Sequence, residues 1–173
     1  LLFVVTLIGV VAAPVLVTIF APGFYGDGGR FDLTVGMLRL TFPYLLFISL
    51  VALASGILNS YGRFAVPAFT PVLLNLVMIV FASLIAPNFD QPGLVLAAGV
   101  FVAGVVQLMV QLPALKSIGM LTMPRWDRAH EGVRRIGRLM LPGIFGSSVA
   151  QVSLLLDTLI ASFLVTGSIA WMY

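Results

Sequence analysis

The sequence predicts an all-α polytopic membrane protein, a bundle of about five complete transmembrane helices followed by the start of a sixth. Composition is the first reason, because 61% of the residues are hydrophobic and 9% are charged. A soluble domain needs about a quarter of its residues charged to cover its surface. The second reason is that apolar runs of about 20 residues, enough to cross ~30 Å of hydrocarbon, alternate with short punctuated connections. A soluble globular domain is therefore excluded.

Turn-forming residues bound the first three predicted spans. The first span, 1–20, ends at Pro22, and a glycine-rich loop follows it. The second span, 34–58, stops where a polar connection begins at Asn59. The third span, 67–86, starts with a proline, which a first helical turn tolerates because the N–H that proline lacks has no partner there. We expect each of these runs to form one membrane helix.

The remaining predicted spans lie on either side of the only strongly polar stretch. The fourth span, 93–112, is closed by Pro113, and a basic loop over 113–138 follows it. The fifth span is 139–165, and a sixth apolar run begins just before the end of the sequence. Because both ends lie in apolar sequence and the first residue is not methionine, we expect a single transmembrane fragment, 1–173, of a longer protein.

Basic residues predict the orientation of the spans. Arg63 lies in the connection after the second span, and the 113–138 loop is basic. Connections rich in Lys and Arg stay on the cytoplasmic side, so both are predicted to be cytoplasmic and the first span runs outward. We expect a multi-pass protein whose basic segment is either an ordinary topogenic charge cluster or a short amphipathic helix among the lipid headgroups. The basic residues of that segment are Lys116, Arg125, Arg128, Arg134, Arg135 and Arg138.

Enzyme chemistry and nucleic-acid binding are not predicted. The chain has no cysteine and one histidine, His130, which excludes thiolate metal sites and a zinc cluster built from this sequence. The nucleophile, phosphate-loop and metalloprotease motifs are missing as well. The net charge of +3 comes from the topogenic arginines and indicates membrane surface rather than nucleic acid. No cofactor is expected apart from a coupling ion.

Asp157 is the most informative residue, since it is a lone carboxylate inside the fifth apolar run. Placing an ionised group at membrane depth costs at least ~2.5 kcal/mol, so such groups usually mark a substrate or ion pathway. Transport coupled to a proton or a cation such as sodium is the leading hypothesis. The alternative is that Asp157 is protonated or hydrogen-bonded to a neighbouring helix and only holds the bundle together.

Helical geometry selects further candidates for a cavity wall. At 100° per residue, four polar side chains of the second span fall within a sector of about 60°. On the fifth span, Ser153 shares the stripe of Asp157, and a second polar stripe lies about 100° away. On the fourth span, Gln107 and Gln111 lie one turn apart and indicate either a helix contact or a polar wall. The candidate cavity-lining residues are Thr41, Tyr44, Ser55, Asn59, Gln151, Ser153 and Thr158.

Several separate blocks, in order along nearly the whole chain, resemble one known family. They are LRLTFPYLL at 38–46, LNSYGRFAVPAF at 58–69, QLP at 111–113 and DTLIASFL at 157–164. The chain resembles the lipid II flippase family MurJ, also called MviN, of the multidrug/oligosaccharidyl-lipid/polysaccharide exporter superfamily. The resemblance implies the third to the seventh helix and the first residues of the eighth, which make up most of the N-terminal lobe of a two-lobed transporter and the first helix of the other lobe.

The resemblance also implies a function. Its members move the undecaprenyl-linked peptidoglycan precursor, lipid II, from the cytoplasmic to the periplasmic leaflet of the bacterial inner membrane by alternating access. Some relatives carry a carboxylate at the position of Asp157 that is associated with sodium. The arginines that grip the diphosphate in the family lie outside this segment, so Arg39 and Arg63 are not assigned to substrate. A multidrug or lipid-linked polysaccharide exporter of the same superfamily is the alternative, and a non-transporting scaffold is a third.

Overall fold

The computed structural model describes residues 2–24, 28–121 and 131–161. Besides the main helices, the described residues form two short 3-10 turns, Pro22–Phe24 and Ala86–Asn88, and one π-helical segment, Phe81–Ile85. The described residues form no β-strand, which confirms the all-α prediction. The main helices are α1 (Leu2–Phe20), α2 (Gly28–Thr41), α3 (Tyr44–Ser60), α4 (Ala65–Val80), α5 (Pro92–Ser117) and α6 (Glu131–Ala161).

Four helical segments among the described residues are long and apolar enough to cross a membrane. They correspond to the first four predicted spans, and they confirm a polytopic membrane protein. The fifth predicted span, 139–165, coincides with α6 as far as Ala161, whereas 162–165 and the predicted sixth span lie outside the described residues. The four segments are Leu2–Phe20, Gly29–Ser60, Ala65–Asn88 and Pro92–Ser117.

The chain divides into two compact units. The first comprises Leu1–Val15 and Gly29–Thr122, and the second comprises Leu16–Gly28 and Met123–Tyr173. The first unit therefore contains α3, α4 and α5 complete, whereas α6 belongs to the second. Candidate residues of the second and fifth predicted spans thus belong to different units.

The second predicted span, 34–58, differs from the structure because two helices, α2 and α3, meet at a turn over Phe42 and Pro43. Pro43 has no backbone N–H and disfavours the helical conformation of the residue before it. The chain continues through the turn with tighter bonds, in which Leu45 N–H donates to the Phe42 carbonyl at 3.0 Å. The turn therefore separates Thr41 on α2 from the other three candidates of this span.

The 113–138 loop is shorter in the structure than the sequence predicts. Helix α5 continues through Pro113 to Ser117, because an internal proline removes only one helical hydrogen bond. At the other end, α6 already begins at Glu131, so eight residues of the predicted loop are helical. Residues 122–130, which include Arg125 and Arg128, lie outside the described residues.

Helices α3 and α5 end in the same way at the same end of the first unit. Gly62 and Gly119 adopt φ of +70° and +71°, a left-handed conformation that only glycine adopts at little cost. The next N–H groups donate back across the last turn, Arg63 N–H to the Leu58 carbonyl at 2.8 Å and Met120 N–H to the Leu115 carbonyl at 3.0 Å. Each glycine thus completes a Schellman cap that satisfies the terminal carbonyls of its helix.

Helix α5 packs against both α3 and α4, and small residues allow the close approach. A β-carbon built on Gly104 would lie 2.7 Å from Tyr44 Cδ2 and 2.9 Å from Phe47 Cβ. Nearby, the rings of Phe47 and Phe101 meet edge to face with centroids 5.5 Å apart. The α3–α5 contact therefore depends on Gly104 having no side chain.

Helix α1 buries one narrow face of small residues. Thr6, Gly9 and Ala13 are buried at spacings of three and four, whereas Leu7, Ile8 and Val11 between them are exposed. The Phe42 ring occupies the position that a β-carbon on Gly9 would take. The exposed apolar side chains on the rest of α1 are what a helix surrounded by lipid presents.

Candidate functional site

The structure places the four candidates from the second predicted span in different surroundings. Thr41 Oγ1 donates back to the Met37 carbonyl of its own helix at 3.0 Å. Tyr44 packs over Gly104, and Ser55 also faces α5. Asn59 is exposed in the last turn of α3. The face that carries Tyr44 and Ser55 is thus the one that contacts α5, and the cavity-lining role of these residues stays a prediction.

Ser55 belongs to a buried polar cluster that joins three helices. Gln111 Nε2 on α5 donates to Ser55 Oγ on α3 at 2.8 Å and to Thr70 Oγ1 on α4 at 2.9 Å. One turn away, Gln107 Nε2 donates to the Thr70 carbonyl at 3.1 Å. Thr70 Oγ1 in turn donates to the Val66 carbonyl. Of the two interpretations of the glutamines, the structure therefore supports the helix contact.

Both glutamine side chains of this cluster are deeply buried. The exposed fraction is 0% for Gln111 and 2% for Gln107, and the Oε1 atom of each has no hydrogen-bond partner. Burying an unpaired amide oxygen costs about 1–3 kcal/mol, which offsets the gain from the three donated bonds. The cluster therefore contributes more to the fixed pairing of α3, α4 and α5 than to net stability.

Sequence reasoning missed Thr70, although depth along the helices identifies it. Ser55 lies five residues before the end of α3, and Thr70 lies five residues after the start of α4. Gln111 lies six residues before the end of α5. At 1.5 Å per residue, all three groups are about 8–9 Å inside the same end of the bundle. Polar residues at equal depth on neighbouring helices are the signal for such a cluster.

Asp157 lies on α6, in the second unit. Its side chain is half-buried, whereas Gln151 and Ser153 are exposed. Ser153 precedes Asp157 by one helical turn, which places a hydroxyl and a carboxylate on one face. Thr158 is in the same helix, but its side chain lies outside the described residues. The structure thus keeps Asp157 and Ser153 on one stripe, as the sequence predicts.

A metal centre built only from charged or imidazole ligands has no support in the described residues. No three His, Cys, Asp or Glu side chains come together there. Within the described part of α6, one carboxylate and one hydroxyl are available on the Asp157 face. The oxygen atoms of these two groups suit part of the shell of a hard monovalent cation, which binds oxygen donors.

A family model described as lipid II flippase MurJ matches residues 1–173, every residue of the chain. The chain belongs to the lipid II flippase MurJ family. Membership in this family agrees with the helical, polytopic architecture, and it confirms the resemblance found in the sequence blocks.

Individual relatives agree with the family match. Over 100% of the chain, it is 47% identical to the probable lipid II flippase MurJ of Vibrio cholerae and 43% identical to that of Haemophilus influenzae. Over 98% of the chain, it is 44% identical to the lipid II flippase MurJ of Burkholderia cenocepacia. The matched segment covers 35% of the Haemophilus protein and 34% of each of the other two. The chain therefore spans about a third of the length of these relatives.

Proposed function

We propose that the full-length protein carrying this chain moves lipid II from the cytoplasmic to the periplasmic leaflet of the bacterial inner membrane. The observation that carries the proposal is the family match over residues 1–173, together with relatives named lipid II flippase at 43–47% identity. A flippase moves an intact molecule and breaks no covalent bond, so the protein is a transporter and not an enzyme. Its substrate is the undecaprenyl-linked peptidoglycan precursor.

The mechanism we propose is alternating access, with the lobes of the transporter rocking between inward-open and outward-open states. The buried cluster of Ser55, Thr70, Gln107 and Gln111 supports this mechanism because it ties α3, α4 and α5 together. Three helices joined by directional bonds move more readily as one body than as independent rods. Within this chain, then, α3 to α5 supply a fixed wall rather than a moving gate.

Complementation tests the flippase proposal. The full-length gene is expressed in a bacterium depleted of its own lipid II flippase, and survival is scored. A membrane-impermeant enzyme that cleaves lipid II, added outside the inner membrane, measures the precursor in the outer leaflet. Rescue with outer-leaflet precursor is the expected result. If the protein is expressed normally in the membrane but gives neither survival nor outer-leaflet precursor, a multidrug or polysaccharide exporter becomes the better assignment.

We further propose that Asp157 couples transport to a cation, sodium or a proton. The proposal is supported by the half-buried Asp157 carboxylate, the one charged group between residues 139 and 161 of α6, and by the Ser153 hydroxyl one turn away. A cation bound to this carboxylate neutralises its charge and so favours the state of the transporter that buries Asp157 in the membrane interior. Asp157 and Ser153 are the residues of this chain that would hold the ion.

Replacing Asp157 with asparagine tests the coupling, because the change removes the charge at nearly constant volume. The expected result is transport that no longer responds to sodium concentration or membrane potential, whereas Asp157→Glu retains both responses. Ser147→Ala is the matched control on α6, since that hydroxyl bonds to the Gly143 carbonyl of its own helix. Unchanged sodium and voltage dependence in Asp157→Asn would rule out a coupling role.

A further inference from the structure

A pocket of about 400 Å³ opens at the end of the first unit where α3 and α5 finish and α4 begins. Its lining includes Arg63 and Phe64 from the α3–α4 connection and Val66 from α4, together with Ala114 and Ser117 from the last turn of α5. The pocket thus combines one cation, one aromatic ring and one hydroxyl with aliphatic side chains. None of these residues belongs to the candidate transport site.

The floor of this pocket is apolar and firmly supported. Val66 and Ala114 pack against the buried cluster formed by Ala54, Leu58 and Leu115. The Ser117 hydroxyl donates to the Ala114 carbonyl at 2.7 Å and does not point to a separate acceptor on the floor. A purely ionic ligand would leave this aliphatic surface in water, whereas a ligand with an apolar portion covers it.

The rim of the pocket is positive. Arg63 is exposed, and its backbone is fixed by the Schellman cap of α3. Lys116 does not line the pocket, but it is exposed and adjacent in sequence to Ser117, which does. The sequence of the first unit contains two carboxylates, Asp32 and Asp90, which lie in the second turn of α2 and just before α5. Asp32 is near the same end as Asp90, because a β-carbon on Gly93 at the start of α5 would lie 3.8 Å from Leu33 Cδ1. About 38 Å of helix separates this end of α5 from Ser117. Neither carboxylate is therefore within reach of the rim.

The pocket lies where the apolar helices meet the lipid headgroups. The aromatic side chains of Tyr61 and Phe64 are exposed beside it, as in the aromatic belts of membrane proteins. The apolar parts of α3, α4 and α5 all begin or end at this level. The basic residues predict the cytoplasmic side for this end, and the surface potential of the cytoplasmic leaflet is negative.

We propose that this pocket binds an anionic phospholipid of the surrounding leaflet. The Arg63 guanidinium contacts the phosphate, since its planar fork donates two parallel hydrogen bonds to phosphate oxygens. Lys116 adds positive charge at the rim, and the glycerol and first acyl methylenes cover Val66 and Ala114. This site is separate from the flipping pathway and stands whether or not the protein flips lipid II.

Lipid titration tests the proposal on the full-length protein in detergent. Phosphatidylglycerol or phosphatidylcholine is added, and bound lipids are counted by native mass spectrometry. Arg63→Gln is expected to weaken phosphatidylglycerol binding about fivefold, the change that one basic residue near the surface contributes. Arg39→Gln is the matched control, because it removes the same charge from an exposed position far from the pocket. Arg39 follows Met37 by two residues, and Met37 lies against Gly93 at the start of α5, whereas the pocket is at the end of α5.

Four outcomes of the lipid titration would overturn the phospholipid site. Equal weakening by Arg63→Gln and Arg39→Gln, or by neither, overturns the site, as does equal binding of phosphatidylcholine to the unsubstituted protein. Displacement of phosphatidylglycerol by inorganic phosphate at the same concentration shows that the pocket reads a free anion and overturns a lipid site. Displacement of phosphatidylglycerol by a soluble lipid II analogue assigns the pocket to the transported substrate and also overturns a separate phospholipid site. Arg63→Lys, which keeps the charge on a folded protein, is expected to recover part of the binding.

Discussion

The Gly104 contact allows a sharp test of how closely α3 and α5 are packed. In Gly104→Ala the new β-carbon would lie 2.9 Å from Phe47 Cβ. Since carbon atoms in contact prefer about 3.5–4.0 Å, the two helices must separate by roughly 0.6–1 Å. Phe47 Cβ is attached directly to the backbone and cannot rotate away. We expect a packing cost of about 1–3 kcal/mol, the range measured for overpacked cores.

Gly56 provides the matched control because it lies inside α3 with nothing within 4 Å of a built β-carbon. Both substitutions gain the same ~1 kcal/mol of helix propensity when alanine replaces glycine. The difference between them therefore isolates the packing term. Gly56→Ala is expected to raise the free energy of unfolding. The free energy of unfolding of Gly104→Ala is expected to be about 1–3 kcal/mol lower than that of Gly56→Ala.

The assay is reversible unfolding of the full-length protein by titration of a denaturing detergent into mixed micelles, followed by circular dichroism. Each variant is compared at the same micelle composition, because the unfolding free energy in this assay depends on it. If the two alanine variants agree within about 0.5 kcal/mol, the close α3–α5 approach at Gly104 is refuted, since surface substitutions scatter by that amount.

Three more predictions concern other contacts of the first unit. A double-mutant cycle of Gln111→Met and Ser55→Ala should give a coupling of about 0.6 kcal/mol, the average for interhelical hydrogen bonds in membranes; zero coupling would refute the bond. Gly62→Ala should lower the free energy of unfolding by about 1–2 kcal/mol, the cost of a left-handed residue with a β-carbon, and an unchanged midpoint in the same detergent titration would contradict the Schellman cap. Gly9→Val should displace the Phe42 ring and loosen α1, measured as faster proteolysis of the α1–α2 connection, whereas wild-type resistance would argue against the contact.

The architecture was predictable because hydrophobicity alone distinguishes a membrane helix from a connection. Four of the predicted spans coincide with long apolar helical segments, although the second is divided into α2 and α3. The polar connection at Asn59 and the Pro-Gly pair after α1 correctly predict where α3 and α1 end. The break at Pro43 and the continuation through Pro113 were harder to predict. Proline removes one hydrogen bond at both sites, and only tertiary context decides whether the helix turns or continues.

Side-chain partners were less accessible from the sequence. Periodicity placed Tyr44, Ser55 and Asn59 on one face, but it does not say whether a face meets water or another helix. The structure shows α5 against that face at Tyr44 and Ser55. Thr70 gave no periodic signal because it is a single hydroxyl in an apolar helix. Asp157 stood out because its charge is costly wherever the helix lies in the membrane.

The order of synthesis gives the buried glutamines a further consequence. A ribosome delivers α3 first, then α4, and then α5 with its two amide side chains. An amide that enters hydrocarbon without a partner costs roughly 1–3 kcal/mol. When Gln107 and Gln111 arrive, Ser55 and Thr70 are already in the membrane to accept their N–H groups. The last of the three helices thus enters the membrane beside its hydrogen-bond partners, and deletion of α4 would leave Gln107 without its acceptor and Gln111 with Ser55 alone.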